Sequence, residues 1–191
     1  MARLPLLSYN AADDQQRALW DQIVASRGQS LNLTTTEGRL AGPFEAFVLR
    51  PHLGEHLIQV GAAVRFGSSL ESHLLELAIT TVGARWKSEF EFWAHSALAL
   101  EAGIDKAVVD SLAAGETPNF ADAAQKAVYD YALALSTHGS VDQVIYEAAI
   151  DAVGVDSVVD LTHTIGYYSH ISFILNAFDV PLPPDVSKVF E

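Results

Sequence analysis

The stretch Leu70 to Ala84 constrains this chain most. Leu74, Leu75, Leu77, Ala78, Ile79 and Val82 leave it apolar on most faces, and a helix apolar nearly all round has to be surrounded by others. The flanking segments supply them. Residues 10 to 27 read as a first helix starting near Asn10 or Asp13, and 43 to 49 as a short one before Pro51 resets the chain. Residues 52 to 66 are amphipathic, with Leu53, Leu57, Val60 and Val64 at helical spacing. Ser68 or Ser69 is placed to cap the central helix. Helices then follow over 88 to 102, 105 to 114, 122 to 137, 141 to 152 and 157 to 178, with Gly103, Gly115, Gly139 and Gly154 between them. The polar stretch from Gln29 to Gly42 reads as a loop, and Val180-Pro-Leu-Pro-Pro stops helix formation. No region sustains two-residue alternation. The expectation is an all-α helical bundle, with no linker that would divide two independent domains.

The chain has 191 residues, half of them hydrophobic, enough for a substantial core. Its formal net charge of -13 opposes nucleic-acid phosphates and anionic lipid heads, and no run of Lys or Arg reverses this locally. No nucleic-acid or membrane partner is expected. Leu161 to Phe178 is free of Asp, Glu, Lys and Arg, yet His163, His170 and Asn176 suit it better to a buried helix than to a membrane span. The apolar start is too short for a signal peptide. The chain contains no cysteine, which removes disulfides, thiolate metal sites and dithiol redox chemistry, and fits a cytoplasmic location.

Glu91 and His95 stand four residues apart in an aromatic run with Trp86, Phe90, Phe92 and Trp93, and so share one helix face. A carboxylate beside an imidazole in an apolar wall is a proton-transfer pair; on an exposed face the same spacing is only a weak surface pair. Glu76, inside the most apolar helix, needs a donor or a proton. Either it bonds a helix end, or it reaches the next helix and orients His95. His163, Tyr167 and His170 share a stripe that lines a pocket or forms a core with satisfied polar tips. Arg50, Arg65 and Arg85 are scarce cations, each suited to clamping a carboxylate or to a helix end. Glu91 to His95 is one residue longer than the Glu-x-x-His spacing of helical metal sites, and no metal is expected. Phosphate-loop, nucleophile-elbow and zincin motifs are absent.

The segment Leu70 to Gly103 resembles the carboxymuconolactone decarboxylase family, which includes the alkylhydroperoxidase D-like proteins. In that pattern Glu76 matches the family's Glu and His95 its His, while Ser88 and Glu91 stand where peroxidase-type members carry two cysteines. Phe90 stands where those members often have His or Tyr. Gly38-Arg-Leu-Ala-Gly-Pro-Phe, Glu89-Phe-Glu-Phe-Trp-Ala-His and Ile165-Gly-Tyr-Tyr extend the resemblance, so that it covers roughly residues 38 to 184, with 10 to 27 as a helical extension. It looks like a cysteine-free branch. The resemblance implies one all-α domain of residues 1 to 191 and a homo-oligomer (dimer, trimer or hexamer) with sites near subunit contacts.

Together these readings lead to a cofactor-free lyase of decarboxylase type, or an isomerase, acting on a small organic acid, lactone or activated carbonyl compound. His95 is the expected acid–base residue, Glu91 its partner and Glu76 its orienter. Trp86, His163, Tyr167 and Arg65 are the expected substrate-binding residues, with Tyr167 donating to a developing oxyanion. The rivals are a small-ligand-binding helical oligomer without catalysis and a hydroperoxide reductase, the latter opposed by the missing thiols.

Overall fold

A computed structural model describes residues 3–5, 7–27, 33, 35 and 38–190. Among these, nine α-helices and one 3-10 turn (Tyr9–Ala11) form, and no β-strand. The helices are α1 (Asp14–Arg27), α2 (Phe44–Leu49), α3 (Pro51–Phe66), α4 (Ser72–Arg85), α5 (Glu89–Glu101), α6 (Lys106–Ala114), α7 (Ala123–His138), α8 (Gln143–Val153) and α9 (Val155–Ala177). The expected all-α bundle is the one observed. Much of the expected loop at 29–42 lies outside the described residues.

The apolar segment is the central helix. Residues Leu74 to Gly83 of α4 are all buried, against α5, α7 and α9. Local chemistry sets many of the ends. Asp13 and Gln16 cap α1 reciprocally, the Gln16 amide donating to Asp13 Oδ1 (2.9 Å) and the Asp13 amide to Gln16 Oε1 (3.0 Å). Asp105, Asp122 and Asp142 cap α6, α7 and α8 through their carboxylates. The expected serine cap on α4 is not used. Glu71 occupies the N-cap position, and Ser69 instead donates its amide and hydroxyl to Asp160 on α9, at 2.7 and 2.8 Å. That contact and the bonds from Trp86 to α9 at the other end make α4 and α9 run parallel.

The amphipathic pattern of α3 is real, but its larger apolar side chains do not all face the core. Leu53 is 54% and Val60 48% exposed, whereas Gly54, Ile58, Gly61 and Val64 are buried. The inward face is built around small residues because α2 and α1 approach closely. A Cβ on Gly54 would lie 2.5 Å from the Phe47 carbonyl oxygen and 2.7 Å from Leu19 Cδ2. Gly54→Ala is therefore expected to lose about 1–3 kcal/mol, seen as a lower melting temperature. An unchanged or higher one would show that α2 yields easily.

Candidate active site

The turn between α4 and α5 folds the second helix back along the first. Lys87 takes a left-handed conformation (φ 49°) that a non-glycine residue enters only at a cost, and the Ser88 amide donates to the Gly83 carbonyl at 2.9 Å. Gly83 lets the helices meet closely: a Cβ there would be 3.2 Å from the Phe92 nitrogen. Glu91 and His95, one turn apart on α5, are thereby brought beside Glu76 of α4. Arg65 reaches the same point from the end of α3.

These side chains form a relay. Glu76 accepts from Arg65 Nη1 through one carboxylate oxygen and pairs with His95 Nδ1 through the other, the latter at 2.7 Å. His95 Nε2 lies 3.2 Å from Glu91 Oε1. This contact lacks hydrogen-bond alignment, and Glu91 Oε1 is buried with no hydrogen-bond partner among the described residues. The Tyr168 ring of α9 packs edge-on against the imidazole, centroids 5.0 Å apart. Glu76 and Glu91 are only 3% and 4% exposed.

The two carboxyl groups are driven apart. Burial pushes Glu76 up, but the hydrogen bond and charge of His95, with Arg65 beside it, outweigh burial and hold it below the usual carboxylate range. Burial pushes Glu91 up and outweighs the opposing charge of His95; the Glu76 charge adds to the rise, and Arg65 takes a little from it. Arg65 stays above its ordinary value because the Glu76 charge offsets burial. Tyr168 is raised, by burial first and then by Glu91, so its phenol keeps its proton. An ionised Glu76 can only accept, so Nδ1 carries a proton toward it, and Nε2 is the ring nitrogen next to Glu91.

Sequence reading and structure meet unevenly here. Glu76, Glu91 and His95 come together. Arg65 joins them, but its guanidinium is engaged by Glu76 rather than free for a substrate. Trp86 braces α9: its indole donates to Ser169 Oγ (3.0 Å), its carbonyl accepts from Asn176 (2.7 Å), and its ring packs on Phe173 (4.7 Å). His163, Tyr167 and His170 do not join the relay; they line a groove of about 650 Å³ between α3 and α9. The Tyr167 ring packs edge-on against Tyr168 (5.3 Å), one aromatic layer from the relay.

Tyr168 is not among the site residues that the sequence pointed to. Ser88 and Glu91 carry a signal that was available, the Ser-x-x-Glu spacing of a capping box. The structure leaves it unused. Ser88 Oγ caps nothing and is buried without a partner among the described residues, and Glu91 turns to His95 instead. Among the described residues no group of three or more His, Asp or Glu side chains is arranged to hold a metal ion.

No protein-family model matches the chain, and no curated protein matches it significantly. Solved structures do. An uncharacterized peroxidase-related protein from Ralstonia eutropha JMP134, with the alkylhydroperoxidase AhpD core, superposes with a TM-score of 0.76 at 18% identity, over 96% of this chain and 93% of that one. A variant of the debrominase Bmp8 in complex with 2,3,4-tribromopyrrole gives 0.72 at 15% identity over 96% and 92%. A peroxidase-related protein from Silicibacter sp. TM1040 gives 0.71 at 14% identity over 94% and 91%. At such identities the likeness concerns the fold alone, and the fold of this chain is similar to the alkylhydroperoxidase AhpD core.

Proposed function

We propose that this chain is a cofactor-independent acid–base enzyme, a lyase of decarboxylase type or an isomerase, acting on a small organic acid, lactone or activated carbonyl compound. The observation that carries the reading is Glu91: a buried carboxyl, biased toward its protonated form, against an imidazole nitrogen whose tautomer Glu76 holds. In this reading His95 Nε2 takes a proton from the substrate carbon or returns one. The Glu76–Arg65 pair stabilises the imidazolium that forms, and Glu91 supplies or receives the second proton. Such transfer contributes about 10²–10⁴-fold. Tyr168, kept as a phenol beside the imidazole, takes the oxyanion-donor role expected of Tyr167. Thiol-dependent chemistry does not carry over from cysteine-bearing proteins of this fold, because the chain has no cysteine. A peroxidase assay with a dithiol donor is expected to read blank.

The homo-oligomer belongs to the same proposal. Leu53, Leu57, Val60 and Val64 repeat at the spacing of a helix-pairing seam, and Leu53 and Val60 stand half exposed along it while Val64 turns into the core. A second copy covering this face would turn the α3–α9 groove into an enclosed chamber beside Tyr167. Val60→Lys is expected to shift the sedimentation coefficient to that of a monomer. A wild type already monomeric at micromolar concentration would refute the arrangement.

The groove also supports the rival, a ligand-binding oligomer without chemistry. A panel of keto acids, lactones and enolisable carbonyl compounds, assayed for turnover and binding with wild type and His95→Ala, separates the two. Turnover lost in His95→Ala supports the enzyme. Binding without turnover, equal in both proteins, supports the rival.

A further inference from the structure

The last described residues fold back onto the start of the helix that carries Glu91 and His95. The amides of Val189 and Phe190 donate to the two oxygens of the Glu89 carboxylate at 2.8 and 2.9 Å, across a hundred residues of chain. The Phe190 ring packs edge-on against Phe92, centroids 5.0 Å apart, and joins the cluster of Leu77, Ile104 and Val108. The first turn of α5 is thus held from two sides, by the close approach of Gly83 and by this strap.

That turn has few other anchors. Neither Ser88 Oγ nor Glu91 Oε1 makes a capping bond. An uncapped helix start frays unless something else fixes it. Glu89 does so with a charge that also suits the positive end of the helix. Glu91 sits on the same turn, and its contact with His95 is 3.2 Å and off hydrogen-bond alignment, so a small slip of the turn alters which group holds the proton.

We propose that Glu89 is a positioning residue: by gripping the Val189–Phe190 strap it fixes the first turn of α5 and sets the approach of Glu91 to His95. The strap therefore acts on the relay, beyond adding apolar burial. This rests on reading Glu91 and His95 as the proton-transfer pair.

The test uses the full chain without substrate. Glu89→Ala, Glu89→Gln and Phe190→Ala are compared with wild type by amide hydrogen exchange at Phe92 and by the nitrogen NMR resonances of the His95 ring, which report the Nε2 proton. Gly54→Ala, whose added Cβ presses on Phe47 and Leu19 and not on the strap, serves as a destabilised control. Glu89→Ala and Phe190→Ala are expected to speed exchange at Phe92 by about tenfold and to move the Nε2 resonance. Glu89→Gln, which keeps one acceptor, is expected to fall between them and wild type. Should Glu89→Ala fail to fold, the other two variants carry the same comparison. A His95 resonance unmoved in the strap variants, or moved equally in Gly54→Ala, overturns the proposal. Absence of turnover would instead refute the enzymatic reading and leave the strap result standing.

Discussion

Glu91→Gln is expected to lose turnover of a confirmed substrate by about 10²–10⁴-fold while its melting temperature at neutral pH matches or exceeds that of wild type. The two effects separate because Glu91 is poorly placed for stability. It is buried, lacks a hydrogen-bond partner at Oε1 and has its carboxyl pushed up by burial. An amide of the same shape removes the ionisable group without opening a cavity. Linkage sets the sign of the pH dependence. A folded-state pKa above the unfolded one contributes stability that is complete below the ordinary carboxylate range and is lost as pH rises through the raised value. The melting temperature of Glu91→Gln minus that of wild type should therefore grow as pH rises from the ordinary carboxylate range through the raised value. Thermal scans across that interval check this. A flat difference, or a variant with full turnover, would remove Glu91 from the mechanism.

Glu76→Ala should be the most destabilising of the relay substitutions, by about 3–5 kcal/mol. It leaves the Arg65 guanidinium without its carboxylate and the His95 Nδ1–H without an acceptor, both in largely buried positions. For a chain of this size that is a fall of roughly 6–20 °C in melting temperature. The acid limb has the opposite sign from that of Glu91. Glu76 is held below the usual range, so its contribution is present above that range and lost as pH falls through the lowered value. Wild type should converge on Glu76→Ala in acid. An Arg65→Met/Glu76→Leu double variant should recover part of the loss, since it removes the orphaned guanidinium and leaves only the His95 Nδ1–H without its acceptor. Equal melting curves for Glu76→Ala and wild type at neutral pH would mean that the pair is solvated.

Much of the bundle was readable because helices announce themselves locally. Gly115 and Gly139 close α6 and α7 in left-handed conformations (φ 71° and 70°), and the aspartates before α6, α7 and α8 cap them. Three of the site residues were readable for a related reason. A carboxylate inside an apolar helix and a Glu–His pair one turn apart are conspicuous wherever the helices go. The direction of α3 was not readable. Periodicity shows that a helix has two faces, and only its neighbours show which one they cover. Here α1 and α2 come close enough to demand Gly54 on the inward side. Arg65 could be seen as a rare cation, but its bond to Glu76 depends on where α3 ends relative to α4.

The α9 stripe gives the plainest contrast. Tyr167 and Tyr168 are adjacent and chemically identical, and local spacing says only that they lie on different faces of α9. The rotation of α9, set by Ser69 on Asp160 at one end and Trp86 on Ser169 at the other, turns Tyr168 to His95 and leaves Tyr167 lining the groove. Sequence by itself determined the helices, the central place of α4 and the acid–imidazole inventory, because these follow from the spacing of apolar and polar groups along one chain. The tertiary structure alone decided which carboxyl is pushed up and which is held down. That choice depends on burial and on charges brought from three helices to one point, which local spacing does not record.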